Sequence, residues 1–193
     1  FTIDRLVGKG GFAWVYHATT DDNDEAAIKV LHTSDRTATL RFARETRVLQ
    51  ALPPTSAVAG WLGHGNTPDG LPYLALEFVD GITLQQGLDR CQLLEPAKAV
   101  AFVAELCVAF GGLHQLGVAH RDVKPENIML NSSGGAKLAD MGLAKNIHEE
   151  FTNPEDGVMG TPRYAAPELI AGDLEKVDNR ADMYSFGGTL YHM

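Results

Sequence analysis

One octapeptide limits what this chain can fold into more than any other feature: His120-Arg121-Asp122-Val123-Lys124-Pro125-Glu126-Asn127. It places an acid, a cation and an amide at the fixed offsets that phosphoryl transfer to a hydroxyl needs. Asp122 can accept the proton of an attacking hydroxyl, and Lys124 can neutralise the moving phosphoryl group. Asn127 can hold a metal ion through its side-chain oxygen. The octapeptide therefore predicts a phosphotransferase.

A glycine-rich turn lies near the start of the sequence: Gly8-Lys9-Gly10-Gly11-Phe12-Ala13-Trp14-Val15. It follows the apolar and polar alternation of residues 2–7, so we predict a strand, a turn and a second strand. Glycines let the backbone approach an anion closely and direct its N–H groups at phosphate oxygens. A glycine hairpin without a ligand is the alternative. The phosphate interpretation gains weight from residues 26–30, an apolar strand that carries the single lysine Lys29.

A helix is predicted over residues 37–52, because apolar side chains recur there at helical spacing. Glu45 precedes Leu49 by one turn on nearly the same face, so its carboxylate is expected to point inward. The alternative is an exposed pair between Glu45 and Arg41, which would contribute only about 0.3–0.5 kcal/mol.

A second carboxylate follows a predicted hairpin. Two short apolar runs, residues 128–130 and 136–139, flank a Ser- and Gly-rich turn and lead directly into Asp140. The hairpin would bring Asp140 beside the octapeptide. Mg²⁺ needs few protein oxygens, because water and substrate phosphate complete its octahedron. Asn127 and Asp140 are therefore a sufficient predicted pair of metal ligands.

Taken together and in this order, the motifs resemble those of eukaryotic-type serine/threonine protein kinases, including those of bacteria. The octapeptide is similar to the catalytic loop of that family, and Asp140-Met141-Gly142 is similar to its Asp-Phe-Gly. The run from Gly160 to Glu168, Gly-Thr-Pro-Arg-Tyr-Ala-Ala-Pro-Glu, is similar to the element that closes the activation segment. The resemblance covers essentially the whole chain. It implies an α+β fold of two lobes: a β-rich small lobe with helix αC over residues 1–79, and a mainly helical, incomplete large lobe over residues 80–193 that ends in helix αF.

The same resemblance implies the reaction and its residues. ATP and Mg²⁺, with Mn²⁺ as an alternative ion, would be the cofactors, and Ser or Thr hydroxyls of proteins would be the acceptors. Asp122 would be the base, and Lys29, oriented by Glu45, would hold the α- and β-phosphates. Leu76 would be the gatekeeper of the adenine site. The implied nucleotide contacts are Val7, Gly8, Lys9, Gly10, Gly11, Phe12, Ala13, Trp14, Val15, Ala27, Lys29, Leu76, Glu77, Val79 and Met129.

Other implied roles concern the activation segment and the support of the catalytic loop. The Thr161 hydroxyl would bridge the catalytic aspartate and lysine, and a phosphate on Thr152 would pair with Arg121. An ordinary loop hydroxyl is the alternative for Thr152. Structural roles are implied for three further residues: packing for His120, anchoring of the catalytic loop for Asp182, and pairing with a later arginine for Glu168.

Two positions depart from the family pattern and define one rival interpretation. Ala13 stands where the third glycine usually lies, and its methyl would stiffen the loop and weaken nucleotide binding modestly. Met141 stands where phenylalanine is usual, although a flexible apolar side chain can fill the same buried slot. These departures motivate a nucleotide-binding pseudokinase or scaffold as the alternative. A small-molecule kinase of the aminoglycoside or choline type is a second rival, but such enzymes lack the element at residues 160–168.

The composition indicates a folded chain and limits the kinds of partner that it can bind. The 193 residues are 45% hydrophobic, which is enough for a substantial core. The 25 acidic and 16 basic residues give a net charge of −9, which argues against nonspecific nucleic-acid binding. No feature of the sequence indicates an oligomeric state.

The cellular location and the nature of the two chain ends are predicted from one apolar helix, the cysteines and the terminal residues. A long apolar helix from Pro96 to about Leu116 is predicted to be a buried core helix containing Cys107, since charged residues interrupt it and it is short for a membrane span. The cysteines lack metal spacing and no signal peptide is present, which predicts a cytoplasmic protein, or the cytoplasmic domain of a longer membrane-anchored kinase. Both ends are expected to be cut, because Phe1 lies inside a predicted strand and Met193 ends a predicted helix without a cap.

Overall fold

A computed structural model describes residues 1–53, 57–90, 96–132, 135–141, 144–146 and 161–193. The strands are β1 (Thr2–Lys9), β2 (Ala13–Thr19), β3 (Glu25–Leu31), β4 (Trp61–Asn66), β5 (Pro72–Glu77), β6 (Gly81–Thr83), β7 (Val118–Ala119), β8 (Ile128–Asn131), β9 (Ala136–Leu138) and β10 (Lys145–Asn146). The helices are α1 (Arg36–Ala51), α2 (Leu84–Asp89), α3 (Pro96–Gln115), α4 (Pro167–Ala171) and α5 (Arg180–His192). The first part of the chain is therefore mainly strand, and the later part is mainly helix.

The first five strands form one antiparallel sheet in the order β1-β2-β3-β5-β4. Strand β3 lies at its centre, and its side chains alternate between the two faces. Ala26, Ile28 and Val30 are buried on one face, whereas Lys29 points to the other. The predicted strand, glycine turn and second strand are confirmed as β1 and β2.

Helix α1 packs beside this sheet. It begins after Asp35, whose carboxylate accepts a hydrogen bond from the Ala38 backbone N–H at 2.7 Å and so caps the helix. Phe42 and Leu49 are buried on the inner face, and Glu45 lies between them with only 1% of its surface exposed. The prediction that Glu45 points inward is confirmed.

Strands β8 and β9 form the predicted hairpin, with Ile128 paired to Leu138 and Leu130 to Ala136. Strand β6 adds to its edge, and the hairpin packs against α3. Met141, just beyond β9, is buried in the same core cluster as Leu49. The expectation that methionine can occupy a buried slot at this position is thus confirmed.

Helix α3 confirms the prediction of a buried core helix on one face only. Its inner face packs into the core through Phe102, Leu106, Phe110 and Leu113. Val100 and Val108 are 70% and 65% exposed, and Cys107, predicted to be a core residue, is also exposed. The prediction for Cys107 is wrong because apolar residues run around the whole helix, while only one stripe of a 3.6-residue period can face a single neighbouring layer. Within the described ranges, no helix is long and apolar enough to cross a membrane.

Candidate active site

An ion pair joins the central strand to helix α1. The Lys29 Nζ atom lies 2.8 Å and 2.7 Å from the two carboxylate oxygens of Glu45, and 3.0 Å from Asp140 Oδ1. The backbone N–H of Met141 also donates a hydrogen bond to Glu45. The alternative pairing of Glu45 with Arg41 is wrong, because the Glu45 carboxylate is turned to the strand. One buried carboxylate therefore connects β3, α1 and the segment that carries Asp140.

The charges of this cluster are set by burial and by each other. Burial alone would lower the pKa of the Lys29 ammonium, but the negative charges of Glu45 and Asp140 outweigh it and raise the pKa above its ordinary value. Burial also raises the pKa of the Glu45 carboxyl, and the charge of Lys29 opposes that rise. A lysine with a raised pKa in the folded state stabilises the fold at every pH below its ordinary value of about 10.4. This contribution is lost only as the pH rises through the raised pKa, so Lys29 stays charged at neutral pH.

The octapeptide forms a compact loop that leads into β8. The Asn127 side-chain amide donates hydrogen bonds of 2.9 Å to both the backbone oxygen and Oδ2 of Asp122. Both donors of this amide nitrogen are thereby directed at Asp122, which leaves the Asn127 side-chain oxygen as its remaining ligand atom. The Asp122 side chain is 12% exposed, and it lines the cavity below the glycine turn.

Lys124 lies between two polar groups of this site. Its Nζ atom is 2.7 Å from Asp122 Oδ2 and donates a hydrogen bond of 3.0 Å to Thr161 Oγ1. The expected bridge therefore has a different centre: the lysine ammonium, rather than the threonine hydroxyl, contacts both partners. An ammonium has three donors and can serve two acceptors at once, and here the Thr161 hydroxyl is one of those two acceptors.

Asp182 fixes the backbone of the octapeptide. It is completely buried in the first turn of α5, and its carboxylate accepts hydrogen bonds from the backbone N–H groups of His120 at 2.9 Å and Arg121 at 2.8 Å. The same carboxylate contacts His114 Nε2 at 2.8 Å. Arg121 has a left-handed backbone with φ of 65°, a conformation that costs free energy and needs such external support.

Two cavities lie under the glycine turn and along the sheet. The glycine-loop cavity, of about 320 Å³, lies between the turn and α1, and Lys29, Glu45, Asp122 and Asp140 line it together with turn residues 10–13. The interlobe cavity, of about 550 Å³, extends along β5 to the segment after it. Predicted nucleotide contacts that line the interlobe cavity are Val7, Gly8, Val15, Ala27, Lys29, Leu76, Glu77, Val79 and Met129. Lys9 and Trp14 line neither cavity.

Sequence reasoning missed a polar connection at the end of β5. Lys137 Nζ lies 2.5 Å and 2.6 Å from the two carboxylate oxygens of Glu77. Glu77 also exchanges two hydrogen bonds with Gly60: its N–H donates to the Gly60 oxygen, and its Oε2 accepts from the Gly60 N–H. The alternation of β9 puts Lys137 on the face away from the buried Leu138, but Lys137 and Glu77 are sixty positions apart, and no local pattern could predict the pair.

Some predicted residues lie outside the described ranges, namely Gly142, Thr152 and Gly160. Glu168 is described and lies in the first turn of α4. No cluster of three or more His, Cys, Asp or Glu side chains with metal-site geometry occurs in the described part of the chain. The predicted pair of Asn127 and Asp140 combines one amide with one carboxylate and does not depend on such a cluster.

Comparison with known proteins identifies the family. The sequence matches the protein kinase domain over residues 1–193. The chain belongs to the protein kinase family. It is 35% identical over 201 residues to serine/threonine-protein kinase PknB of Mycobacterium tuberculosis, covering 100% of this chain and 32% of that relative. It is 34% identical to serine/threonine-protein kinase PknJ of Mycobacterium bovis, and 32% identical to a probable serine/threonine-protein kinase of Streptomyces coelicolor.

The kinase relatives are longer proteins. The chain is covered completely in both of the last two comparisons and spans 33% and 30% of those relatives, so it corresponds to about a third of their length. The family resemblance and the α+β kinase fold predicted from the sequence are both confirmed. Membership in this family implies the general use of ATP and a divalent metal ion. It also argues against the rival assignment to small-molecule kinases.

Proposed function

We propose that this chain is the catalytic part of a protein serine/threonine kinase, which transfers the γ-phosphoryl group of ATP to Ser or Thr hydroxyls of proteins. One observation carries the proposal: Lys124 Nζ contacts both the candidate base Asp122 and the hydroxyl of Thr161. This arrangement joins the catalytic loop to the element that closes the activation segment. The printed names of the relatives support the same acceptor class, since all three are serine/threonine-protein kinases.

The proposed roles follow from charge and position. Asp122 accepts the proton of the acceptor hydroxyl, and Lys124 offsets negative charge on the phosphoryl group during transfer. Lys29 binds the α- and β-phosphates, and Glu45 positions it. The Lys29 ammonium is held by a buried carboxylate and stays charged at neutral pH, which suits it to bind phosphate oxygens.

The proposed metal ion is Mg²⁺, with Mn²⁺ as an alternative, and it would be held by Asn127 and Asp140. The residues fit a hard cation, because the Asn127 amide nitrogen is directed at Asp122 and its oxygen is left for a ligand. Asp140 has a left-handed backbone with φ of 58°, and its carboxylate lies 3.0 Å from Lys29 at the edge of both cavities. A bound Mg²⁺ would neutralise phosphate charge. The chain's own contribution is to hold both residues at the open end of the hairpin β8–β9, where the Ala139 N–H donates to the Asn127 backbone oxygen.

The adenine ring would bind in the interlobe cavity, beside Leu76 and the backbone groups of Glu77 and Val79. The Glu77 N–H already donates to the Gly60 oxygen, so its carbonyl oxygen is the group expected to contact adenine.

Because ATP is the donor, we propose a cytoplasmic location, either as part of a cytoplasmic protein or as the cytoplasmic domain of a membrane-anchored kinase. Autophosphorylation at Thr152 remains part of the proposal. A phosphosite map of ATP-treated protein with Thr152 unmodified would contradict that part.

The proposal is tested by phosphoryl transfer. The purified protein is incubated with [γ-³²P]ATP and Mg²⁺, alone and with a generic basic protein, beside the variants Asp122→Asn and Asp178→Asn. Loss of the general base should lower kcat by about 10²–10⁴-fold in Asp122→Asn, while nucleotide binding is retained. Asp178 is a matched control, since its exposed pair with Arg180 lies outside both cavities.

Phosphoamino-acid analysis should show label on Ser or Thr. ATP binding without transfer by the unmodified protein would support the rival pseudokinase, which the departures at Ala13 and Met141 motivate. Equal activity of Asp122→Asn and the unmodified protein would instead reject Asp122 as the base.

A further inference from the structure

The tip of the glycine-rich loop contacts two residues outside it: His32, which directly follows β3, and Arg41 on α1. The backbone N–H of His32 donates a hydrogen bond of 3.0 Å to the Phe12 oxygen. The His32 ring approaches the Gly10 oxygen at 3.4 Å through Nε2 and lies against the Trp14 ring, with 4.7 Å between the ring centroids. The loop is therefore tied to the chain segment that leads into α1.

Arg41 approaches the same loop from α1. Its guanidinium carbon lies 5.9 Å from the centroid of the Phe12 ring, which is within the range of a cation–π contact. Arg41 also lines the glycine-loop cavity, and its Nε atom is buried without a hydrogen-bond partner. Burying such a donor without a partner costs free energy. The contact of the guanidinium with the ring at the loop tip offsets part of this cost.

Helix α1 also carries Glu45, one turn after Arg41. Glu45 orients Lys29, whereas Arg41 contacts Phe12. The two side chains project from one rigid helix, so a movement of α1 changes both contacts together. The helix position and the closure of the loop are therefore physically connected.

We propose that His32 and Arg41 form a clasp that closes the glycine-rich loop only when α1 is in the position that pairs Glu45 with Lys29. Arg41 and His32 are positioning residues in this proposal, since they act through the loop and not on the phosphates. The inference deepens the proposed function and rests on it only in assuming that the two cavities bind a nucleotide. Displacement of α1 would break the ion pair between Lys29 and Glu45 and would release the loop tip. Both changes would weaken nucleotide binding.

The clasp is tested by a double-mutant cycle between Arg41→Gln and Phe12→Leu. Calorimetric titration would measure the affinities for Mg·ATP and for Mg·ADP. Each single variant should weaken both nucleotides by about two- to fivefold, the size expected of a partly exposed cation–π contact. The double variant should be no weaker than either single variant, because both remove the same contact. Arg47→Gln is the matched control, since Arg47 is exposed on the same helix and lines neither cavity.

Trp14 offers a readout that a purely structural role of Arg41 would not change. Trp61 is the second tryptophan of this chain and lines neither cavity, so Trp61→Phe isolates the signal of Trp14. Arg41→Gln should make Trp14 more accessible to acrylamide quenching while the melting temperature stays within the range of Arg47→Gln.

Three outcomes would overturn the clasp: additive losses in the double variant, unchanged quenching of Trp14, or weaker binding of Mg·ATP with unchanged binding of Mg·ADP. The last result would mean that Arg41 acts on the γ-phosphate. These measurements use binding and fluorescence only. Nucleotide binding without phosphoryl transfer would therefore reject the proposed function and leave the clasp to be judged on its own.

Discussion

The catalytic loop and the glycine-rich loop face each other across one cleft, but they are supported in opposite ways. In the catalytic loop, His120, Arg121 and Asn127 are all less than 9% exposed, and Asp182 holds the loop backbone from a completely buried position. In the glycine-rich loop, Phe12 and Trp14 are 49% and 38% exposed. The proposed base Asp122 and the proposed metal ligand Asn127 therefore lie on a well-supported loop. The proposed cover of the phosphates has few buried contacts and is expected to open at low cost in free energy.

This difference assigns separate tasks to the two sides of the cleft. Groups that take part in proton and phosphoryl transfer must be held within a fraction of an ångström of their working positions. A cover over the nucleotide must open for exchange, so strong anchoring would slow it. Variants on the catalytic side should therefore cost fold stability and activity together, and variants on the loop side should alter nucleotide binding by small factors.

The largest effect on stability is expected from Asp182→Asn. The two N–H groups donate to different carboxylate oxygens, and the substitution keeps one oxygen but replaces the other by an NH₂ group, which cannot accept a hydrogen bond. The lost hydrogen bond to a charged group contributes about 1.5–3 kcal/mol, and the backbone N–H left buried without an acceptor costs about a further 1–3 kcal/mol, so the free energy of unfolding should fall by about 2.5–6 kcal/mol. Urea unfolding measures the change.

The control for this variant is Asp178→Asn, near the start of the same helix, where the carboxylate pairs with the exposed Arg180. An exposed pair contributes about 0–1 kcal/mol, so the control should remain close to the unmodified protein. Equal losses in the two variants would show that Asp182 is no stronger an anchor than a surface carboxylate.

A second prediction concerns the ion pair that connects the two sides. Lys29→Met leaves the Glu45 carboxylate buried without its cation and should lower the free energy of unfolding by about 3–5 kcal/mol. The double variant Lys29→Met/Glu45→Leu removes both charges and should recover most of this loss. Nucleotide affinity should stay low in both variants, because the phosphates have lost their ammonium. Thermal unfolding and nucleotide titration separate the two effects.

Stability that fails to recover in the double variant would mean that packing, and not the buried charge, causes the loss. The pH dependence gives an independent check. Burial raises the pKa of the Glu45 carboxyl, and in Lys29→Met the cation that opposes this rise is gone. A carboxyl with a raised pKa in the folded state destabilises the fold more as the pH rises, so the free energy of unfolding of Lys29→Met should fall relative to the double variant with increasing pH.

Motifs with fixed local offsets were predicted well, because a few residues of chain leave little freedom. Asp122, Lys124 and Asn127 lie in one loop and meet there. The hairpin of β8 and β9 followed from two apolar runs around a turn. Glu45 was also predicted to face inward, since a helix repeats every 3.6 residues and its neighbour Leu49 is apolar.

Contacts between distant segments could not be predicted in the same way. The pair of Glu77 and Lys137 depends on how β5 approaches β9, and neither strand encodes that approach locally. Arg41 was considered only as a partner of Glu45, because the two lie one turn apart. The structure turns its guanidinium to Phe12, which lies on another element. Burial of the α3 side chains depends on how many neighbouring layers pack against the helix, and the sequence of the helix does not give that number.

The smallest effect is expected from Ala13→Gly, which restores the glycine usual in the family. From the sequence alone, the extra methyl should weaken nucleotide binding, so its removal should strengthen binding. The structure favours the opposite sign. Ala13 is only 9% exposed, it begins β2, and its carbonyl oxygen accepts a hydrogen bond of 2.9 Å from the Gly10 N–H. A glycine there would make the free loop less ordered, at a cost of about 0.5–1 kcal/mol.

We therefore expect Ala13→Gly to weaken Mg·ATP binding by about two- to fivefold, since the loop must be ordered again when the nucleotide binds. Ala18→Gly is the matched control, because Ala18 is buried in the same strand and lines neither cavity. It should lower the free energy of unfolding without changing nucleotide affinity. Tighter binding by Ala13→Gly would show that the methyl obstructs the phosphates. Nucleotide binding under the glycine-rich loop would then be limited by steric contact and not by how ordered the loop is.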